Sequence, residues 1–213
     1  VLRMTRSLAR QTGSRNLCLA GGVALNCVAN GKVLRDGHFE NVWIQPAAGD
    51  AGSALGCALA AWHLFGNQPR KTSGADGMSG AYLGPSFAQA EIERRLTAAG
   101  AKLAVLGEDE MIETTAQALA GQQAVGWFQG RMEFGPRSLG ARSILGDPRS
   151  PGMQKNLNLK VKYRESFRPF APAVLREDVS EWFEHSSDSP YMLIVADVRA
   201  DKRYQMTAEE QAL

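Results

Sequence analysis

The pattern that most restricts the fold of this chain occurs twice in its first third: a short apolar run, a glycine turn, then an amphipathic stretch. Asn16-Leu-Cys-Leu-Ala20 reads as a buried strand ended by Gly21-Gly22, and a helix is expected from about Leu25 to Leu34, closed by Asp36-Gly37. Val42-Trp-Ile-Gln45 reads as a second strand and Gly49-Asp50-Ala51-Gly52 as a second turn. The helix after it should run to about Phe65, with Leu55, Ala58, Leu59 and Trp62 on one stripe. Ahead of both units, Val1, Met4 and Leu8 recur at helical spacing. Strands alternating with helices of this length form parallel pairs, because the crossover helix returns the chain to the same end of the sheet. The fold class expected is α/β.

Residues 67–80, NQPRKTSGADGMSG, are polar and rich in Gly, Ser and Pro, the composition of a linker, and a domain boundary is expected there. A second α/β set should follow. Ser86 is placed to cap a helix carrying Ile92, Leu96 and Ala99, and Lys102–Leu106 is strand-like. Asp109 is placed to cap a helix through Ala120, and Ala124–Phe128 reads as a strand. Asp178–Glu184 reads as a short helix and Tyr191–Val198 as a continuous apolar strand, while 200–213 give no clear signal.

With 213 residues and 44% hydrophobic content the chain can bury a sizeable core. It has no apolar run near the roughly 20 residues that span a bilayer, and its first residues lack the apolar block of a signal peptide. No membrane association is expected. Cys18, Cys27 and Cys57 are odd in number, form no CxxC pair and sit among apolar residues, so they read as small core residues of a reduced, cytoplasmic protein. The first residue is Val and the chain opens inside a helical pattern, so a piece of a longer protein is expected.

Charge is distributed unevenly. Between Arg131 and Arg176 ten Lys or Arg face three acids, Glu133, Asp147 and Glu165, a net of +7 in a chain whose total is +2. Such a run often forms a solvated face or a loose nucleic-acid patch. Here Phe134, Leu139, Ile144, Leu145, Tyr163, Phe167, Phe170 and Val174 are interleaved with the cations, and a disordered basic tail lacks such anchors. The segment is expected to fold with its arginines aimed inward at an anion. Arg137-Ser138 and Arg142-Ser143 repeat an Arg-Ser pair around Gly140, and guanidinium forks with hydroxyls suit a tetrahedral oxyanion. Lys162 and Arg164 would project together from an extended strand, and Pro169 and Pro172 would stiffen the backbone beside Arg168. A cluster of this kind serves phosphoryl or acyl-phosphate chemistry by neutralising charge on transferring oxygens.

The two glycine turns are weaker signals. Gly21-Gly22 would let a ligand approach the backbone at a helix N-terminus, but tight strand-to-helix turns use glycine for sterics alone. Asp50 is placed either as a plain N-cap or as a metal ligand at the end of a strand, and spacing favours the cap. His38, His63 and His185 show no metal-binding or dyad spacing, and the chain has no GxSxG, Walker or GxGxxG motif.

LAGGVALN, AAGDAGSALGCAL, GWFQGRMEFGPRSLGARSILGDPR and KYRESFRPFAPAV, in this order, resemble the O-carbamoyltransferases of the nodulation-protein and antibiotic-tailoring type, a likeness that extends through SPYMLIVADVR. The resemblance implies an α/β chain in two parts. Residues 1–66 would be the C-terminal end of an actin-like ATPase-fold domain, 67–80 a linker, and 81–213 a truncated YrdC-like domain. It implies that carbamoyl phosphate and ATP give carbamoyl-adenylate, and that the carbamoyl group then moves to the hydroxyl of a small-molecule acceptor. It also implies a divalent metal, with iron expected, in the full-length protein. Carried over by position, Gly21, Gly22 and Asn26 would hold the nucleotide, and Asp50 would be a metal ligand. Lys162, Arg164 and Arg168 would be catalytic, holding carbamoyl phosphate and nucleotide phosphates. Arg137, Ser138, Arg142 and Ser143 would bind substrate. The resemblance thus reverses the reading of Asp50 as a cap. The family's paired histidine ligands precede the part matched here, so the fragment alone is expected not to turn over. A homodimer is left open.

Two other readings compete. A threonylcarbamoyl-adenylate type of tRNA-modifying enzyme shares both folds, and a non-catalytic basic nucleic-acid-binding module would explain the cations. A net charge of only +2 argues mildly against both.

Overall fold

A computed structural model describes residues 1–72 and 74–205 and is a mixed α/β structure. Helix α1 (Leu2–Thr12) ends at Gly13, whose left-handed backbone (φ 61°) lets its N–H reach the Ala9 carbonyl at 2.9 Å. Strand β1 (Asn16–Leu19) leads through a single 3₁₀ turn, Gly22–Leu25, into α2 (Cys27–Arg35). Strand β2 (Asn41–Ile44) then leads into α3 (Asp50–Ala60). The two strands pair in parallel, Asn16 opposite Asn41 and Leu19 opposite Ile44, as the twofold pattern predicts. Leu17, Val33 and Phe39 form one apolar cluster, against which Leu2 and Ala9 of α1 pack.

The later part contributes α4 (Gln89–Ala98), α5 (Glu108–Ala120), an antiparallel pair β3 (Val125–Phe128) and β4 (Arg142–Leu145), and two short helices, α6 (Met153–Asn156) and α7 (Val179–Trp182). In the antiparallel pair Val125 faces Leu145 and Phe128 faces Arg142. The larger core cluster draws on residues before, within and after 67–80: Ala24, Ile44, Ala47 and Ala48 are buried with Met78, Ala81, Tyr191 and Leu193. The Tyr191 hydroxyl donates to Asp76 and accepts from the Gly80 N–H at 3.1 Å, while its ring meets Trp43 edge-on with centroids 6.3 Å apart. Burying that ring pushes its hydroxyl pKa up to about 12, and the Asp76 carboxylate adds to the effect.

Several local expectations are corrected. Lys102–Leu106 forms no strand and lies exposed, because no strand among the described residues takes up its backbone N–H and C=O groups. Tyr191–Val198 is not a strand either, apart from a single antiparallel bridge from Val198 to Phe183. It docks on α2: the Val195 N–H donates to the Cys27 carbonyl at 3.2 Å, and Asn30 Nδ2 and Arg35 Nη1 donate to the Leu193 and Val195 carbonyls at 2.9 Å each. Gly31 permits this approach, since a Cβ there would sit well inside contact of the Val195 carbonyl oxygen. Ser86 and Asp109 make no cap bond. Helix α4 starts after Ala88, α5 starts after Gly107, and Asp109 falls in the first turn. The apolar stripe of α3 is only partly used: Leu55 packs on the core, but Leu59 and Trp62 are 49% and 60% exposed, and a π turn, Ala61–Phe65, follows. Cys18 and Cys57 are exposed and Cys27 half-buried, so the cysteines are not core residues in this chain. None of the described helices is long and apolar enough to cross a membrane.

Candidate functional site

The hairpin of β3 and β4 carries the basic signature in its connection, 129–141. The loop is closed at its base by the Gln129 N–H donating to the Ala141 carbonyl at 3.0 Å. Its interior is organised by Glu133. That side chain is wholly buried, and its carboxylate accepts from the Leu139 and Ala141 N–H groups at 2.6 and 2.8 Å and from Arg142 Nε at 3.1 Å. Burial pushes the Glu133 carboxyl up, but the backbone N–H groups and the Arg142 guanidinium outweigh it and leave the pKa below its ordinary value. Arg142 Nη2 also donates to the Gly135 carbonyl at 2.9 Å, and Ser143 Oγ accepts from the Gly140 N–H at 3.0 Å. Ser138 is exposed.

This loop is seated on the ends of the parallel strands. Gly135 (φ 133°) passes so near the β2–α3 turn that a Cβ there would lie 3.4 Å from the Pro46 carbonyl oxygen and 3.5 Å from Ala47. Arg137 reaches the β1–α2 turn, where its Nη2 donates to the Leu25 carbonyl at 3.0 Å, while its Nε is buried without an acceptor. An unmade hydrogen bond from a buried guanidinium is costly, and among the described residues Arg137 Nε is the one buried side-chain polar atom left in that state. The crevice beyond the carboxyl ends of parallel strands is where α/β sheets hold ligands.

The turn residues take different parts. Gly21 (φ 89°) and Gly22 border open space, as backbone that a ligand approaches must. Asn26 caps α2, its Oδ1 accepting from the Ala29 N–H at 3.0 Å. Asp50 is the first residue of α3, one place after the Gly49 cap, and is exposed. Among the described residues no three His, Cys, Asp or Glu side chains group as metal ligands, so Asp50 offers one carboxylate where a divalent ion needs several. The donors among the described residues do not by themselves fit a metal.

Lys162, Arg164 and Arg168 lie in a second loop, and the extended strand expected for the first two is not formed. A π turn, Leu157–Val161, is capped by Lys162, and Tyr163 is left-handed (φ 49°), so the two cations do not share the face of a strand. Fully buried Asn158 holds this loop. Its Oδ1 accepts from Arg164 Nε at 2.6 Å, and its Nδ2 donates to the Ser166 and Arg168 carbonyls at 3.0 and 2.8 Å. Arg164 also stacks over Phe170, 4.9 Å from the ring centre. Arg168 pairs with Glu165 at 2.8 Å, and Lys162 is exposed. Tyr163 and Phe167, read as apolar anchors, are 87% and 76% exposed.

Of the arginines expected to aim inward at an anion, Arg137 and Arg142 turn to carbonyl oxygens and Glu133, and Arg164 to the side chain of Asn158. Arg149 and Arg176 are exposed and pair with Asp147, whose side chain is largely covered, and with exposed Asp188. Sequence reasoning missed the two organising residues. Glu133 appeared only as an opposing charge and Asn158 not at all. The available signal was an acid flanked by glycines and arginines in a loop too polar to bury it otherwise.

A family model described as the carbamoyltransferase N-terminus matches residues 1–59, and one described as the carbamoyltransferase C-terminus matches residues 116–210. An uncharacterised Synechocystis protein, sll1178, is 55% identical over the whole chain, which covers 35% of that protein. Nodulation protein NolNO of Sinorhizobium fredii is 42% identical over 95% of this chain and 30% of its own length. Nodulation protein NolO of Bradyrhizobium diazoefficiens is 41% identical over 95% and 37%. The chain thus spans about a third of the length of these relatives. Matches to both end models, in order, with the signature loop seated on the glycine turns, place the chain in the carbamoyltransferase family.

Proposed function

We propose that this chain is the part of an O-carbamoyltransferase that holds carbamoyl phosphate and ATP while the carbamoyl group is activated as carbamoyl-adenylate, before transfer to a small-molecule hydroxyl. The observation that carries this reading is Arg137, set at the β1–α2 turn with a buried Nε that has no protein acceptor. A phosphate oxygen is the acceptor that a guanidinium fork suits best. Open backbone at Gly21 and Gly22 gives room for the nucleotide beside it, and Asn26 keeps that turn in shape by capping α2. Lys162, Arg164 and Arg168 are assigned to hold phosphate oxygens from the second basic loop, and Ser138, Arg142 and Ser143 to bind substrate from the first. Asp50 is proposed as one metal ligand, completed by residues outside this chain. Residues 1–66 are read as the end of an actin-like domain and 81–213 as a YrdC-like domain, with 67–80 between them.

Calorimetric titration of the chain with carbamoyl phosphate tests the reading. Saturable binding weakened by about tenfold or more in Arg137→Ala is expected, since hydrogen bonds to charged groups contribute roughly 1.5–3 kcal/mol each. Absence of binding, or unchanged binding in that variant, would reject it. In a protein of the relatives' full length, Arg168→Ala should abolish carbamoyl-dependent pyrophosphate release from ATP.

A further inference from the structure

We propose that Glu133 is a positioning residue: its carboxylate fixes the shape of loop 129–141 and so sets where the Arg137 guanidinium stands. The inference rests on the function proposed above. Glu133 accounts for three of the bonds that close this loop, from the Leu139 and Ala141 N–H groups and from Arg142 Nε, and its side chain has no exposure to water. The two N–H groups lie on one side of Arg137 in the chain and Gly135 on the other. Arg142, held by the same carboxylate, grips the Gly135 carbonyl at 2.9 Å. The short stretch bearing Arg137 is therefore clamped at both ends through a single side chain. Segment 81–85 holds the loop elsewhere, through backbone bonds of Met132 with Gly84 and Pro85 at 2.9 and 3.1 Å and of Phe134 with Ala81 at 2.6 Å, and through the Tyr82 hydroxyl donating to the Leu139 carbonyl at 2.7 Å. These bonds stop short of 135–138, and Gly135 and Gly140, both at positive φ, give that stretch little stiffness of its own.

A buried carboxylate costs free energy unless several donors meet it, and here two backbone donors and one cation do. The arrangement therefore ties the position of Arg137 to the ionised state of Glu133. Cations of the same segment that pair outside the loop, Arg149 with Asp147 and Arg168 with Glu165, have no such hold on it. An acyl phosphate bound at Arg137 would need that guanidinium held to within a fraction of an ångström, since misplacement on that scale is costly.

The test uses the 213-residue chain and two variants, Glu133→Ala and Glu133→Gln. Glutamine keeps one acceptor oxygen for the two N–H groups and loses the charge that faces Arg142. Two readouts are taken. Amide hydrogen exchange at Leu139 and Ala141, with helix α5 as internal reference, reports the clamp without any ligand. Calorimetric titration with carbamoyl phosphate reports the position of Arg137. Exchange at both amides should speed up about tenfold or more in the alanine variant, with α5 unchanged and affinity lowered at least tenfold. The glutamine variant should fall between wild type and alanine in both readouts, a partial rescue. The proposal is overturned if the alanine variant exchanges like wild type, or if released amides leave affinity unchanged. If the alanine variant does not fold, a glutamine variant equal to wild type in both readouts overturns it. A wild-type chain that does not bind carbamoyl phosphate rejects the functional reading, and the exchange arm then decides the clamp alone.

Discussion

Gly31 and Gly56 are both helix-interior glycines, and alanine at the two positions should move stability in opposite directions. Alanine in place of glycine favours an α-helix by roughly 0.5–1 kcal/mol. At Gly56 in α3 a Cβ would meet nothing within 4 Å, so Gly56→Ala should gain about that amount. At Gly31 in α2 the new methyl would collide with the Val195 carbonyl oxygen, and the carbonyl carbon behind it would lie 3.3 Å away. Segment 193–195 must then retreat. Doing so stretches the bonds from Val195 to Cys27, from Asn30 to Leu193 and from Arg35 to Val195, each contributing about 0.5–1.5 kcal/mol. Overpacking alone costs roughly 1–3 kcal/mol, so the clash outweighs the helix gain and Gly31→Ala should lose about 1–3 kcal/mol net. Urea unfolding followed by circular dichroism measures both. With a slope of about 1–3 kcal/mol per molar urea, the Gly31→Ala midpoint should fall by roughly 1 M while that of Gly56→Ala rises. Equal or raised stability in Gly31→Ala would refute the docking of 193–195 on α2.

Tyr191→Phe should lose about 1–3 kcal/mol, because Asp76 and the Gly80 N–H each lose their buried partner. Since the folded pKa of Tyr191 is raised from 10.0 to about 12, wild type should lose stability as pH climbs through that window, and the Phe variant should lack this limb in pH-dependent urea titrations. Glu133 is shifted the other way. Its contribution is present above the ordinary carboxylate pKa and lost as pH falls through the depressed value, so Glu133→Gln should flatten the acid limb of the same titration. Asn158→Asp keeps the acceptor for Arg164 but sets a carboxylate oxygen against the Ser166 and Arg168 carbonyls. Stability should fall by about 2 kcal/mol, and trypsin should cut the variant faster after Lys162 and Arg164. An unchanged digestion pattern would dismiss Asn158 as the support of that loop.

The legible parts of this protein are those whose cause is local. Apolar runs ended by glycine set β1 and β2, helical spacing set α1 and α3, and the long crossover between short strands required a parallel pair. The basic segment was legible too, because ten cations against three acids stand out in a chain whose total charge is +2. Its geometry was not. Whether an apolar run such as 191–198 becomes a strand depends on a free neighbouring edge, and here α2 offered donors and acceptors instead. Lys162 and Arg164 would share a face only in extended backbone, and the π turn held by Asn158 removes that condition. The role of Glu133 was invisible for the same reason. A carboxylate counts as −1 in any sequence, and only a folded loop that brings two N–H groups and Arg142 within 3.1 Å turns it into the centre of a clamp. Sequence by itself determined the parallel unit of β1 and β2 with its helices, strand β3, and the sign of the charge at the candidate site. The tertiary structure alone decided which of those charges meet protein partners and which atoms, like Arg137 Nε, are buried without one, because that depends on contacts between residues more than a hundred positions apart.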